Sequence, residues 1–143
     1  MPKSNIDGSA VVVGAGLDSP STAGALTTGL ATELEVAATV AAAANNQTLA
    51  ATAGKRTYIS GFLVGGLGAT AASVIAVTVS GIGVTMTFRF DVPIGAVVNS
   101  TRLLVTLPRP IPASADNTAI VVNVPSFGAG NTAADASAWG FSI

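Results

Sequence analysis

Glu33 and Glu35 stand two residues apart in a chain of 143 residues that contains no histidine and no cysteine. On an extended strand both carboxylates point the same way, roughly 7 Å apart. Glycoside cleavage needs two carboxyl groups flanking the sugar bond in unequal environments. Two acids side by side on one strand share one environment, so the pattern reads as a solvated strand face. Without histidine there is no Ser-His-Asp triad and no imidazole base. Without cysteine there is no thiol nucleophile, no disulfide framework and no thiolate metal site. Asp7-Gly8-Ser9 and Asp18 carry oxygen ligands of the kind calcium accepts, but they read more simply as turn residues. Gly14-Ala15-Gly16 after Val11-Val12-Val13 resembles the start of a dinucleotide fingerprint, yet position 19 is Ser and Pro20 stands where a helix would open. The expectation is a protein with no catalytic residue, no metal and no cofactor.

Binding is the remaining kind of function. The net charge is −1, which gives no basic field for a nucleic-acid backbone. Lys55-Arg56, Arg89, Arg102 and Arg109 have no aromatic residues interleaved among them for base stacking and read as isolated surface charges. Asn46-Gln47-Thr48 and Asn99-Ser100-Thr101 match glycosylation sequons. Met1-Pro2-Lys3-Ser4 leads into polar residues without the apolar stretch of a secretory signal, so both read as chance matches. Residues 57–88 are uncharged over a length that could span a bilayer, but glycines at 61, 65, 66, 68, 81 and 83 break the run into two short β-branched stretches. Neither nucleic acid nor membrane is expected as a partner.

The elements that would carry a binding surface are strands. Residues 1–31 are rich in Gly, Ala, Ser and Thr without a sustained period and read as an N-terminal arm; residues 32–143 read as the sandwich domain. Within residues 26–44 the alanines favour helix by propensity. Leu34, Val36, Ala38 and Val40 alternate with Glu33, Glu35, Ala37 and Thr39, which favours a strand. Further strands are expected at Thr48–Ala53, Arg56–Val64, Ser73–Val79, Val84–Val92, Thr101–Leu107, Ala119–Val124 and Ser137–Ile143. Pro108, Pro110 and Pro112 are expected to stop the sixth, because three prolines in five residues cannot sit in a central strand. Seven or eight short strands separated by turn signals indicate an all-β, jelly-roll-like sandwich of antiparallel strands. Its expected core includes Phe62, Met86, Phe88, Phe90, Val122, Trp139 and Phe141, with Tyr58, Ser60, Phe62 and Val64 on one face.

Ala53–Phe62, Pro108–Ala119 and Pro125–Thr132 together resemble small jelly-roll proteins encoded in the structural modules of tailed bacteriophages. The resemblance covers about residues 45–143 and rests on whole segments, not on a catalytic motif. It implies a capsid decoration (cement) protein on the surface of the virion. Such proteins often sit as homotrimers on the lattice of the major capsid protein. The chain itself and the major capsid protein are thus the expected partners.

The arm lies outside the resemblance, but its composition suggests a role. Val11, Val12, Val13 and Leu17 form an apolar hook that buries too little alone to offset its ordering entropy. Laid along a neighbouring subunit or the capsid, it could add an edge strand. Two other functions fit a jelly roll: a carbohydrate- or receptor-binding module, for which Trp139 and Tyr58 are the strong candidates, and a tail or neck component of the same virion.

Overall fold

The computed structural model describes residues 31–143, and Val11, Val12, Val13 and Leu17 of the arm lie outside them. The described residues form eight strands: β1 (Thr32–Val40), β2 (Gln47–Leu49), β3 (Thr57–Gly66), β4 (Ser73–Ser80), β5 (Met86–Val92), β6 (Leu103–Pro112), β7 (Ile120–Asn123) and β8 (Ala134–Ser142). They make two four-stranded sheets, ordered β1-β8-β3-β6 and β2-β7-β4-β5. Within these sheets the first strand pairs with the last, the second with the seventh, the third with the sixth and the fourth with the fifth. That is one long hairpin rolled into a sandwich, the arrangement of a jelly roll. The alternation over residues 33–40 resolves as strand β1, with Leu34, Val36 and Val40 packed against the core.

The core lies between the sheets and is made of small pieces around three phenylalanines. Phe62, Phe90 and Phe127 are buried among Leu49, Ile59, Val64, Val77, Ile120 and Val122. The Phe90 and Phe127 rings meet at 5.3 Å. Strand β8 faces these large groups with Ala134, Ala136 and Ala138, all buried. Two sheets about 10 Å apart have room for one large side chain at each level, so bulk on one strand requires smallness opposite.

This packing rule overturns two expected core positions. Trp139 and Phe141 are half-buried on the outer face of the β1-β8-β3-β6 sheet. The alternation along β8 is real, but its inward phase is the alanine phase. Asp135 stands in the same phase as Trp139 and Phe141, and a carboxylate marks the wet side.

Tyr58 and Phe62 are also on opposite faces. The register of β3 against β8 slips between Ile59 and Gly61, placing Ser60 as an extra residue. A single inserted residue inverts the phase of everything after it. Ile59 before the slip and Phe62 and Val64 after it all point inward, while Tyr58 points out.

Strand β6 continues through the three prolines to Pro112. It can do so because it is an edge strand, where a proline's missing N–H can face away from the neighbouring strand. The pairing skips from Thr106, opposite Gly61, to Ile111, opposite Ile59, so Leu107–Pro110 bulge out of the ladder.

Met86 and Phe88 do face inward, but edge strand β5 leaves them only partly covered. The Phe88 ring makes an edge-on contact with Phe62 at 5.2 Å. Replacing Phe62 by Ala should therefore destabilise the sandwich by about 3–5 kcal/mol. Phe88→Ala should cost clearly less, since part of that ring already meets water. Denaturant titration of both variants, with equal loss or a larger loss for Phe88→Ala, would contradict this packing.

Candidate interaction surfaces

The carboxylates that could do chemistry are dispersed. Glu33 and Glu35 are exposed on the outward side of β1. Asp135 on β8 accepts a hydrogen bond from the Thr39 hydroxyl at 2.6 Å, and Asp116 pairs with Arg56 at 2.8 Å. Among the described residues no three acidic side chains converge where a metal ion could be held. No helix among them is long and apolar enough to cross a membrane.

The outer face of the β1-β8-β3-β6 sheet is the first candidate surface. Strand register builds it in rows. Thr106, Gly61 and Trp139 lie side by side, as do Pro112, Tyr58 and Phe141. The Tyr58 and Phe141 rings stack at 4.9 Å with an interplanar angle of 11°. Trp139 lies over Gly61, where a Cβ would fall 2.5 Å from the indole Cζ2 and 2.5 Å from the Val105 carbonyl oxygen. Glycine at 61 leaves the space that the indole occupies over the sheet. Leu63 and the exposed Leu104 extend this apolar surface toward the edge.

The other sheet presents a polar outer face. The Asn123 amide donates to the Thr78 hydroxyl at 3.2 Å and to the Ser80 hydroxyl at 2.9 Å. Thr48 and Thr87 lie beside these groups.

The loops at one end form the third surface. The β3–β4 and β5–β6 connections are joined by backbone bonds from Gly68 to Val98, Ala69 to Pro93 and Ser100 to Gly66. They frame a cleft of about 420 Å³ lined by Ser73, Val74, Asp91, Pro93, Asn99 and Thr101, among others. A smaller one, about 190 Å³, is lined by Asn99, Ser100, Arg102 and Asp135. Asn99 belongs to both. The large side chains of Val74, Ile94, Val97 and Val98 are exposed around this end, at 58%, 66%, 82% and 47%. Both sequon asparagines are exposed, Asn99 at this end and Asn46 elsewhere, where its carbonyl also accepts the Val124 N–H.

Sequence reasoning missed the buried asparagines that hold the scaffold. Asn45, in the β1–β2 connection, donates to the carbonyls of Ala38 and Ala134 and accepts from the Gln47 amide. Asn131, in the β7–β8 connection, accepts from the Ala42 N–H and donates to Leu67 and Ala133. Both are 3% exposed, which for an amide means a structural duty. Their place between apolar strands was visible in the sequence; the distant backbone groups they serve were not.

No known family model matches the chain, and no similarity to a curated protein or to a solved structure was found. The surfaces therefore have to be read on their own chemistry.

Asn45→Ala would take a partner from the Ala134 carbonyl and the Gln47 amide in a buried site, and from the part-buried Ala38 carbonyl. The expected loss is at least about 1–3 kcal/mol, the desolvation cost of a buried group left unpaired. Asn46→Ala removes one bond at an exposed position and should cost less. Thermal melts of the two variants with equal shifts would contradict the role assigned to Asn45.

Proposed function

We propose that this chain is a non-enzymatic structural protein of a virion, a capsid decoration protein that binds the lattice of the major capsid protein and stabilises the head. The observation that carries the reading is the apolar exterior. A body with 9% charged residues exposes Val74, Val84, Ile94, Val97, Val98 and Leu104, and adds half-buried aromatics on one sheet face. Single exposed hydrophobics are ordinary, but a cluster around one loop end and a continuous outer face are what partner-covered surfaces look like. The dispersed carboxylates and the resemblance of residues 45–143 to phage jelly-roll proteins support the same reading. In it, the homotrimer is the working unit, and residues 1–31 contact neighbours through Val11, Val12, Val13 and Leu17.

A carbohydrate- or receptor-binding module is the second reading, favoured by the outward Trp139, Tyr58 and Phe141. An indole on the outer face of a sheet is a surface on which a sugar ring can stack. A tail or neck position in the same virion shares the interaction chemistry of the first reading and differs in location.

The test is binding to heads. Purified protein added to capsids that lack it should co-sediment and raise the temperature at which they release DNA, and cryo-EM should place it on the head lattice. Removing residues 1–31 should weaken this binding while leaving the sandwich folded. A protein that ignores capsids but binds an oligosaccharide, with binding lost in Trp139→Phe, would replace the first reading by the second.

A further inference from the structure

The two flanks of the β1-β8-β3-β6 sheet differ in a way that points to one occupant. Strand β2 packs against β8, and Phe88 of β5 meets Phe62 of β3. Thus β2 closes the sandwich near β1, and edge strand β5 lies on the same flank as edge strand β6. Among the described residues, neither flank seals the core. On the β1 side Leu34, Val36 and Val40 pack against the core but stay partly exposed. On the opposite side Met86, Phe88, Leu103, Val105, Leu107 and Ile111 do the same along a seam between edge strands β5 and β6. The inward residues of β7, in the middle of its sheet, are by contrast fully buried.

Charge separates the same two flanks. Strand β1 carries Glu33 and Glu35, both exposed, and no base. Strand β6 and its lead-in carry Arg102 and Arg109, both exposed, and no acid occurs between Asp91 and Asp116, although Asp135 of β8 lines the same small cleft as Arg102, so Arg109 is the unbalanced base of this flank. On β5, Arg89 and Asp91 offset each other. Thr39, at the far end of β1, reaches Asp135 at the start of β8. The Glu33–Glu35 half of β1 therefore runs beside the Trp139–Phe141 half of β8, level with the Thr106–Pro112 stretch that contains Arg109.

We propose that a second copy of this chain docks head to tail, its acidic β1 flank covering the basic, partly open β5–β6 seam of the first. Each copy then presents both halves of the interface. Such a heterologous contact closes into a ring when the rotation allows. The prolines of β6 limit backbone pairing along that edge, so side chains make the contact: apolar groups complete the core at the seam, and Glu33 and Glu35 meet Arg109, with Arg102 toward the loop end. The inference rests on the self-association part of the proposed function and not on the capsid. A chain that assembles through these flanks yet ignores heads would leave it standing.

The experiment is charge reversal in the full chain, read by light scattering and native mass spectrometry, with far-UV circular dichroism to check that each variant folds. The unaltered chain should be an oligomer. Glu33→Arg with Glu35→Arg, or Arg102→Glu with Arg109→Glu, should weaken association by about tenfold or more, since each places like charges together. All four reversals in one chain restore opposite signs and should restore self-assembly. If folding intervenes, the milder pair Glu33→Gln and Glu35→Gln gives the same direction. A monomeric unaltered chain, folded single-flank variants that assemble undiminished, or a folded four-fold variant that stays monomeric would each overturn the proposal.

Discussion

The fold depends on a constraint that follows from rolling one hairpin into two sheets: each connection that leaves a ladder must find hydrogen bonds in the connection opposite it. Six of the seven connections cross between sheets. Their backbone groups lose strand partners close to a dry core, where an unpaired N–H or C=O is costly. The β1–β2 and β7–β8 connections meet through Asn45, Asn46 and Asn131. The β2–β3 and β6–β7 connections meet through Asn117, which accepts from the Gly54 N–H and donates its own N–H to Lys55, and through the Arg56–Asp116 pair. The β3–β4 and β5–β6 connections meet mainly through backbone bonds, with the Ser100 hydroxyl also donating to the Gly66 carbonyl. Asn117 takes a φ of 59°, a left-handed conformation that asparagine tolerates better than most side chains.

With the crossings fixed, packing becomes a question of which strand supplies bulk. Phe62, Phe90 and Phe127 take the available depth, so β8 must be small inside. Its large side chains are displaced to the exterior, where Trp139 lies over Gly61 and Phe141 stacks on Tyr58. The same economy of core bulk leaves the edge strands incompletely covered. Interior and exterior are thereby coupled: a sandwich with a thin core ends up with aromatic groups and open seams on its surface.

The two sheets consequently offer different chemistry outward. One face is aromatic and aliphatic and bordered by opposite charges; the other is a hydroxyl and amide surface around Asn123. Association driven by apolar burial favours the first. The second is already engaged in its own cross-strand hydrogen bonds and has less to gain from a partner.

The amino-acid sequence alone sets the strand content and the fold class, because alternation and turn residues are local signals. Met86, Phe88 and Phe90 share an inward face as the period of two requires, and the glycine- and proline-rich breaks fall near the strand ends. It also determined the chemical repertoire, because absent histidine and cysteine cannot be supplied by folding. Tertiary structure alone decided phase and edge. The extra residue at Ser60 inverts β3 relative to its own alternation, and nothing local announces it. Trp139 and Phe141 face out because the space opposite β8 is filled by residues from the other sheet, although Asp135 in the same phase was a usable hint. The prolines of β6 fit within a strand because that strand has a neighbour on one side only, a fact set by topology and not by composition. Side-chain size and period are written along the chain, but which side of a strand is dry depends on what lies across from it.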